Sequence, residues 1–327
     1  MIDINKVFEK FNALNVLIIG DVMMDSYLWG KVDRISPEAP VPVVSILKKE
    51  NRLGGAANVA LNIQSLGGNP ILCAVIGDDV EGQTFSDLLK SQNLSDVGII
   101  KVLDRPTTVK TRVIGGNQQI VRLDFETDKI ISQETTHGIL QRIFKIINNT
   151  EINAIIFEDY DKGLITELLI ESVVKYANER NIITVVDPKK RNFLSYKNVT
   201  LFKPNLKELR EGIKQDINAK ILVELSDAVN LLQNELNATY IMVTLSELGV
   251  YVSSKIENKL FPAHIRDIAD VSGAGDTVIA TTALCLAAGL NAFDTASIAN
   301  LAGGLVCEQV GVVSINKDSL LAETKKL

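Results

Sequence analysis

Along most of the chain, short runs rich in β-branched residues alternate with segments whose apolar residues recur every three or four positions. The runs Asn15 to Ile19, Ile71 to Ile76, Ala154 to Phe157, Ile182 to Val186 and Tyr240 to Thr244 predict strands. Between them, Asn58 to Leu66, Gly82 to Gln92, Thr135 to Ile147 and Leu164 to Glu179 predict helices. Such alternation predicts an α/β architecture, a mainly parallel central sheet flanked by helices on both faces.

Two segments interrupt it. Residues 31–48 carry Pro37, Pro40 and Pro42 around Val41, Val43 and Val44, where proline's missing donor predicts an edge strand or extended chain. Residues 107–126 read as two strands around Gly115 and Gly116. Val109, Thr111, Val113, Val121, Leu123 and Phe125 share one face, with Arg122, Asp124 and Glu126 on the other. Together they predict a small β appendage inserted into a single domain spanning 1–327. No period of about 20 to 50 residues and no low-complexity linker divides the chain.

Composition narrows the function classes. Of 327 residues, 34 are Lys or Arg and 40 are Asp or Glu, a net charge of −6 that provides no overall positive field for a nucleic-acid backbone. The three cysteines, Cys73, Cys285 and Cys307, are too far apart for a metal knuckle and read as buried thiols. No basic region precedes the first apolar run, and Val278 to Leu290, the longest mainly apolar stretch, falls short of the roughly 20 residues of a membrane span. A cytoplasmic protein with no membrane or nucleic-acid partner is expected.

The segment richest in chemistry is Asp270 to Asp276, with Gly273, Ala274 and Gly275 opening a long stretch of small apolar residues. Little side-chain bulk obstructs a turn there, and a helix beginning at it would aim free N–H groups and the positive end of its dipole at one point. Asp276 beside such an anion site suits a general base that takes a hydroxyl proton while the donors stabilise a transferring phosphoryl group. The competing reading is a glycine turn with Asp276 as helix N-cap. The chain has no GxxxxGK[ST], and Gly20 to Asp25 lacks the GxGxxG dinucleotide fingerprint. His137 and His264 lack metal-ligand spacing and read as surface or structural residues.

These motifs resemble the ribokinase-like (PfkB) carbohydrate kinases. Asp270 to Asp276 is similar to that family's C-terminal signature and Leu53 to Ala60 to its N-terminal one. Lys203 to Glu208 resembles its N-x-x-E motif, and Val243 to Gly249 its nucleotide-side strand and turn. Further strings resemble the D-glycero-β-D-manno-heptose 7-phosphate kinases within it: Gly20 to Asp25, Arg34 to Val43, Asn117 to Glu126, Asp159 to Gly163 and Val271 to Ile279.

The resemblance implies ATP-dependent phosphorylation of the anomeric hydroxyl of that heptose phosphate, for lipopolysaccharide precursor synthesis. Asp276 would be the base and Gly273, Ala274 and Gly275 the phosphoryl cradle. Asn205, Leu206, Lys207, Glu208, Ser246, Gly249 and Asn300 fall at ATP positions, with Asn205 and Glu208 holding Mg2+ through water. Asn205 and Glu208 also have the spacing of a helix capping box. Asp25, Gly54, Gly55, Asn58 and Gln118 fall at sugar positions. Arg122, Lys162 and Lys189, with Lys190 beside it, are the candidate cations for the substrate phosphate.

The resemblance also implies a monovalent-cation site near Asp270 and Ser272, a homodimer through the β appendage, which would be the family's lid, and a separate nucleotidyltransferase acting on the product. The chain departs from the family pattern in having two residues between Gly55 and Asn58, Val278 after the Asp-Thr pair, and Ser246 before Glu247. Open alternatives are a kinase for fructose, ribose or fructose 6-phosphate, and a non-catalytic nucleotide- or sugar-binding regulator.

Overall fold

The computed structural model describes residues 3–116, 118–264 and 266–327. Asn117, the first residue of one string noted above, lies outside them. Thirteen strands are found among the described residues: β1 Asn15–Gly20, β2 Val22–Ile35, β3 Pro42–Gly55, β4 Asn69–Gly77, β5 Gly98–Val102, β6 Val109–Gly115, β7 Gln118–Phe125, β8 Ala154–Glu158, β9 Ile183–Asp187, β10 Leu201–Phe202, β11 Tyr240–Thr244, β12 Val250–Ser253 and β13 Asn258–Phe261.

Nine of them form one sheet in the order β13-β12-β11-β10-β9-β8-β1-β4-β5. From β5 to β11 neighbouring strands are parallel, and β12 and β13 add an antiparallel edge. Both faces are covered, as the apolar runs predict. Val16 and Ile18 of β1 enter one core, packed with the helices Ala56–Ser65, Ala274–Ala287 and Ala292–Cys307. Leu17 and Ile19 enter the other, packed with Gln133–Asn149, Glu167–Asn178 and Leu222–Leu236.

The segments expected to form an appendage lie in a second sheet of order β3-β2-β6-β7. Its first hairpin is longer than the expected extended chain at 31–48, because pairing runs from Val22↔Gly55 to Ile35↔Pro42. Irregularities between Trp29 and Gly30 and between Val32 and Arg34 shift the side-chain alternation, which hides these strands from a period-two reading. The second hairpin pairs Val109 with Phe125, Thr111 with Leu123 and Val113 with Val121, which places these six on one face.

The connections place chemistry at one edge of the large sheet. β1 leads through Asp21 straight into the lid, and the register aligns Gly20 with Glu158 and Glu158 with Asp187 at the carboxyl ends of β1, β8 and β9. Ligands of open α/β sheets bind at such ends. All three cysteines are free and buried, and burial pushes the Cys73 thiol up to about 12. Among the described residues no helix is long and apolar enough to cross a membrane.

Candidate active site

Gly273 is the N-cap of the helix Ala274–Ala287, has φ +80°, and is followed by Asp276 in the first turn. A left-handed φ favours glycine here, and a Cβ would also press on Asn58 Nδ2 at 3.1 Å. No side chain caps this helix start; Ala274 N–H donates to Val271 O at 3.3 Å, and the next N–H groups, those of Gly275 and Asp276, are available to an anion. Asp276 is not the N-cap of the competing reading. Its carboxylate makes no capping bond and accepts from Asn58 Nδ2 at 2.6 Å and from the Tyr160 hydroxyl at 2.9 Å. Asp276 is 7% exposed, and burial pushes its pKa up to about 6 against the lowering effect of those two donors.

Two helices are pinned together to hold that geometry. Thr277 Oγ1 donates to Asn62 Oδ1 at 2.9 Å, and Asn62 Nδ2 returns to Asn58 O on its own helix. Asn58 is therefore committed to Asp276, a use that the sugar-hydroxyl reading did not foresee. Gly55 ends β3 with φ +61°, and at Gly54 a Cβ would lie 2.3 Å from Asp25 Oδ2. The glycine pair thus lets the lid strand turn into the helix while passing close to Asp25.

Beneath the helix start, Lys203 pairs with Asp187 at 2.9 Å and Lys189 with Glu208. Burial opposes the Lys203 charge, but Asp187 and Glu208 outweigh it and hold its pKa above the ordinary lysine value. Burial next to Asp187 and Asp276 raises Glu158 well above the carboxylate range, and its Oε2 has no hydrogen-bond partner. Asn205 caps the helix Leu206–Ile213 and forms a reciprocal capping box with Glu208, as the spacing allows. Leu206 lies against the core, whereas Lys207 is exposed and paired only with Glu211.

Other positions are brought less directly to this centre. Ser246 and Gly249 shape the β11–β12 turn with φ +53° and +98°, and Asn300 donates to Pro262 O at 2.8 Å. Gln118 is exposed at the tip of the second hairpin, opposite Gly115, five residues beyond Lys110 along β6. That separation is roughly 17 Å of strand.

Toward the lid root, one cross-strand row contains Arg52, Asp25, Lys110 and Asp124, and the next contains Glu50, Tyr27, Arg112 and Arg122. Arg112 donates to Asp25, while the Arg52 and Arg112 guanidinium carbons lie 4.9 and 5.3 Å from the Tyr27 ring centre. Arg122 is half exposed and held by Asp124, and Lys162 donates to Glu126 at 2.6 Å. Lys190 is exposed.

Sequence reasoning gave no role to Arg112, Arg52, Tyr160, Asp187, Lys203 or Glu158. Tyr160, Asp187 and Lys203 stand inside or beside quoted strings, but only the fold brings them to Asp276. Arg112 carried no local signal beyond its place in a predicted lid strand.

Residues 13–318 match the family described as pfkB family carbohydrate kinase. The bifunctional protein HldE of Magnetococcus marinus is 38% identical over 322 residues, 97% of this chain and 65% of that protein. HldE of Helicobacter pylori is 38% identical over 296 residues, 90% of this chain and 63% of that protein. The chain thus spans a little under two thirds of the length of these relatives. Escherichia coli phosphofructokinase-2 in complex with potassium has a TM-score of 0.75 at 18% identity, covering 95% of this chain and 99% of that one. Arabidopsis thaliana ribokinase complexed with ribose and ATP has a TM-score of 0.73 at 15% identity, covering 96% of this chain and 99% of that one. These two likenesses show a ribokinase-like fold.

Proposed function

This chain belongs to the pfkB family of carbohydrate kinases, phosphotransferases with a sugar hydroxyl as acceptor, and on that premise we propose that its acceptor is the anomeric hydroxyl of D-glycero-β-D-manno-heptose 7-phosphate. The observation that carries the chemistry is Asp276 in the first turn of an uncapped helix start, with both carboxylate oxygens fixed by donors. Asp276 takes the proton of the acceptor hydroxyl as that oxygen bonds to the γ-phosphorus of ATP and the bond to the β–γ bridging oxygen breaks, releasing ADP. The N–H groups of Gly275 and Asp276 receive the charge on the phosphoryl oxygens. Similarity to HldE over almost the whole chain supports a heptose substrate.

The lid supports a phosphorylated sugar. Arg112 commits one nitrogen to Asp25, and its other donors and those of Arg122 stand side by side on the face that carries Asp25. Lys162 and Lys110 share Glu126 at 2.6 and 2.9 Å, which holds two more cations beside that face.

Among the described residues no cluster of three His, Cys, Asp or Glu side chains is set to hold a metal ion, and Asn205 and Glu208 are engaged by their capping box and by Lys189, so they would hold a hard divalent ion such as Mg2+ only through water. Its contribution when bound is to neutralise phosphate charge. For a monovalent cation we favour the loop around Asp270 and Ser272, which Asp270 ties to Gly311 by accepting from both Ser272 N and Gly311 N.

The apolar face of β7, with Leu123 and Phe125 more than half exposed, supports a homodimer through the lid. Converting the bisphosphate product to a nucleotide sugar would take a nucleotidyl-transfer reaction downstream of this site, and a cytoplasmic location fits ATP as donor.

The test is ADP release with ATP and Mg2+, comparing heptose 7-phosphate with fructose 6-phosphate, fructose and ribose, with Asp276→Asn as control. Turnover selective for the heptose phosphate is expected. Selective turnover of another sugar would keep the base and discard the substrate, and no turnover with any sugar would point to a regulator.

A further inference from the structure

The Asp159 to Gly163 turn does more than present Lys162. Asp21, 4% exposed at the end of β1, accepts from the backbone N–H groups of Tyr160, Lys162 and Leu164 at 3.0, 3.0 and 3.2 Å. Asp159 is held in turn by the Tyr196 hydroxyl at 2.9 Å and Asn192 Nδ2 at 3.2 Å. This rigid turn brings the Tyr160 hydroxyl to Asp276 Oδ1, while Asn58 occupies Oδ2.

Each oxygen of the base thus accepts one hydrogen bond before an acceptor arrives, and of the two donors one is better placed to give way to a substrate hydroxyl. Asn58 cannot easily do so, being 1% exposed, fixed in a helix and wedged near Gly273. Tyr160 is partly exposed and reaches Asp276 from a loop.

We propose that the Tyr160 hydroxyl is a placeholder for the acceptor hydroxyl: it aims Asp276, shields Oδ1 from water, and is displaced when the sugar binds. The proposal rests on reading Asp276 as the general base. Because nothing else need be done to Oδ1 in the sugar-free enzyme, the phenol suppresses proton transfer from water, and with it wasteful ATP hydrolysis. Tyr160 is thus a positioning residue acting through Asp276.

Other charges facing Asp276 do not duplicate this role. Asp187 from β9 is paired with Lys203, after β10, and Glu158 from β8, whose burial favours its protonated form, leaves its Oε2 without a partner and so does not occupy Asp276. Lys189 lies over the Tyr160 ring at 5.5 Å and is committed to Glu208. Burial, with the charges of Asp276, Glu158 and Asp187, raises the phenol well above its ordinary pKa, so it remains a donor throughout the working range.

The experiment compares Tyr160→Phe with the parent for ATP hydrolysis without any sugar and for ADP formation with heptose 7-phosphate. The ratio of the first rate to the second should rise about tenfold, the scale of one hydrogen bond to a charged group. The double variant Tyr160→Phe with Asp276→Asn should lose the gained hydrolysis. A ratio within twofold of the parent overturns the proposal, as does hydrolysis that persists without Asp276.

If Tyr160→Phe fails to fold, a crystal structure of the parent with heptose 7-phosphate and a non-hydrolysable ATP analogue decides. An acceptor hydroxyl on Oδ1 with the phenol moved off supports displacement, and a phenol still on Oδ1 beside the seated sugar refutes it. Hydrolysis is read without an acceptor, so a parent that no sugar stimulates marks failure of the substrate reading separately.

Discussion

Lys203 Nζ lies 2.9 Å from Asp187 Oδ2, both side chains are at most 8% exposed, and a Cβ on Gly275 would sit 4.0 and 3.7 Å from those two atoms. The ion pair is thus the floor of the turn proposed to receive the phosphoryl group. Removing one partner of a buried pair leaves an uncompensated charge, a cost of about 3–5 kcal/mol. Lys203→Met should lower the free energy of unfolding by that amount in urea titrations. Adding Asp187→Asn should recover part of the loss, whereas losses that simply add would show that the two groups are not coupled.

Asp276→Asn should cut turnover by roughly 10²- to 10⁴-fold with ATP binding nearly intact, since a general base acts only in the transition state. In the parent, activity should fall as pH drops through about 6, where the buried Asp276 takes up a proton. Retained activity within a few-fold in the variant would remove Asp276 from the role of base.

The same carboxylate bears on stability. Its pKa is raised on folding, from the ordinary 3.8 to about 6, mainly by burial. Between those values the unfolded chain loses this proton while the folded chain keeps it, so stability falls as pH rises through the window and stays lower above it. The penalty is up to about 3 kcal/mol. Asp276→Asn should therefore unfold at a higher temperature than the parent at pH 8 and show little difference at pH 4. A variant equally destabilised at both pH values would show that packing at this position outweighs its charge.

The strand–helix alternation was legible because the central strands are buried on both faces and read as continuous apolar runs; Tyr240 to Thr244 was placed to the residue. β10 is two residues long and could not stand out, and β2 was obscured by its register shifts. The glycine turn and Asp276 were visible because they are contiguous in sequence. Asp187, Lys203 and Tyr160 were not, because what unites them is the register of parallel strands, which brings residues far apart in sequence to the same sheet edge.

Arg112→Ala should raise the Michaelis constant for the sugar phosphate at least tenfold and leave that for ATP within about twofold, because a phosphate held by guanidinium donors loses charge-assisted hydrogen bonds. Comparing Arg122→Ala ranks the two cations; the more buried Arg112 should matter more. Equal effects on sugar phosphate and ATP would remove Arg112 from the substrate-phosphate role.

The lid's apolar side provides the last test. Val121, Leu123 and Phe125 are 44, 56 and 61% exposed on alternate positions of β7, and the cross-strand partners of the first and last, Val113 and Val109, are buried. Ile46 and Leu47 on β3 are also exposed, at 46 and 68%. A four-stranded lid sheet with this much apolar surface on its edge strands is a liability unless covered, and a second copy of the same sheet would cover it by a two-fold contact. Burying each such side chain contributes about 1.5–3 kcal/mol. Leu123→Lys combined with Phe125→Lys should therefore shift the chain from dimer to monomer in sedimentation velocity, without lowering the melting temperature of the central domain measured at low protein concentration. With the sugar-phosphate cations proposed to lie on this same sheet, the monomer should keep sugar-independent ATP binding while its Michaelis constant for the sugar phosphate rises. A parent that sediments as a monomer at every concentration, or a double variant that remains dimeric, would place any self-association on a different surface.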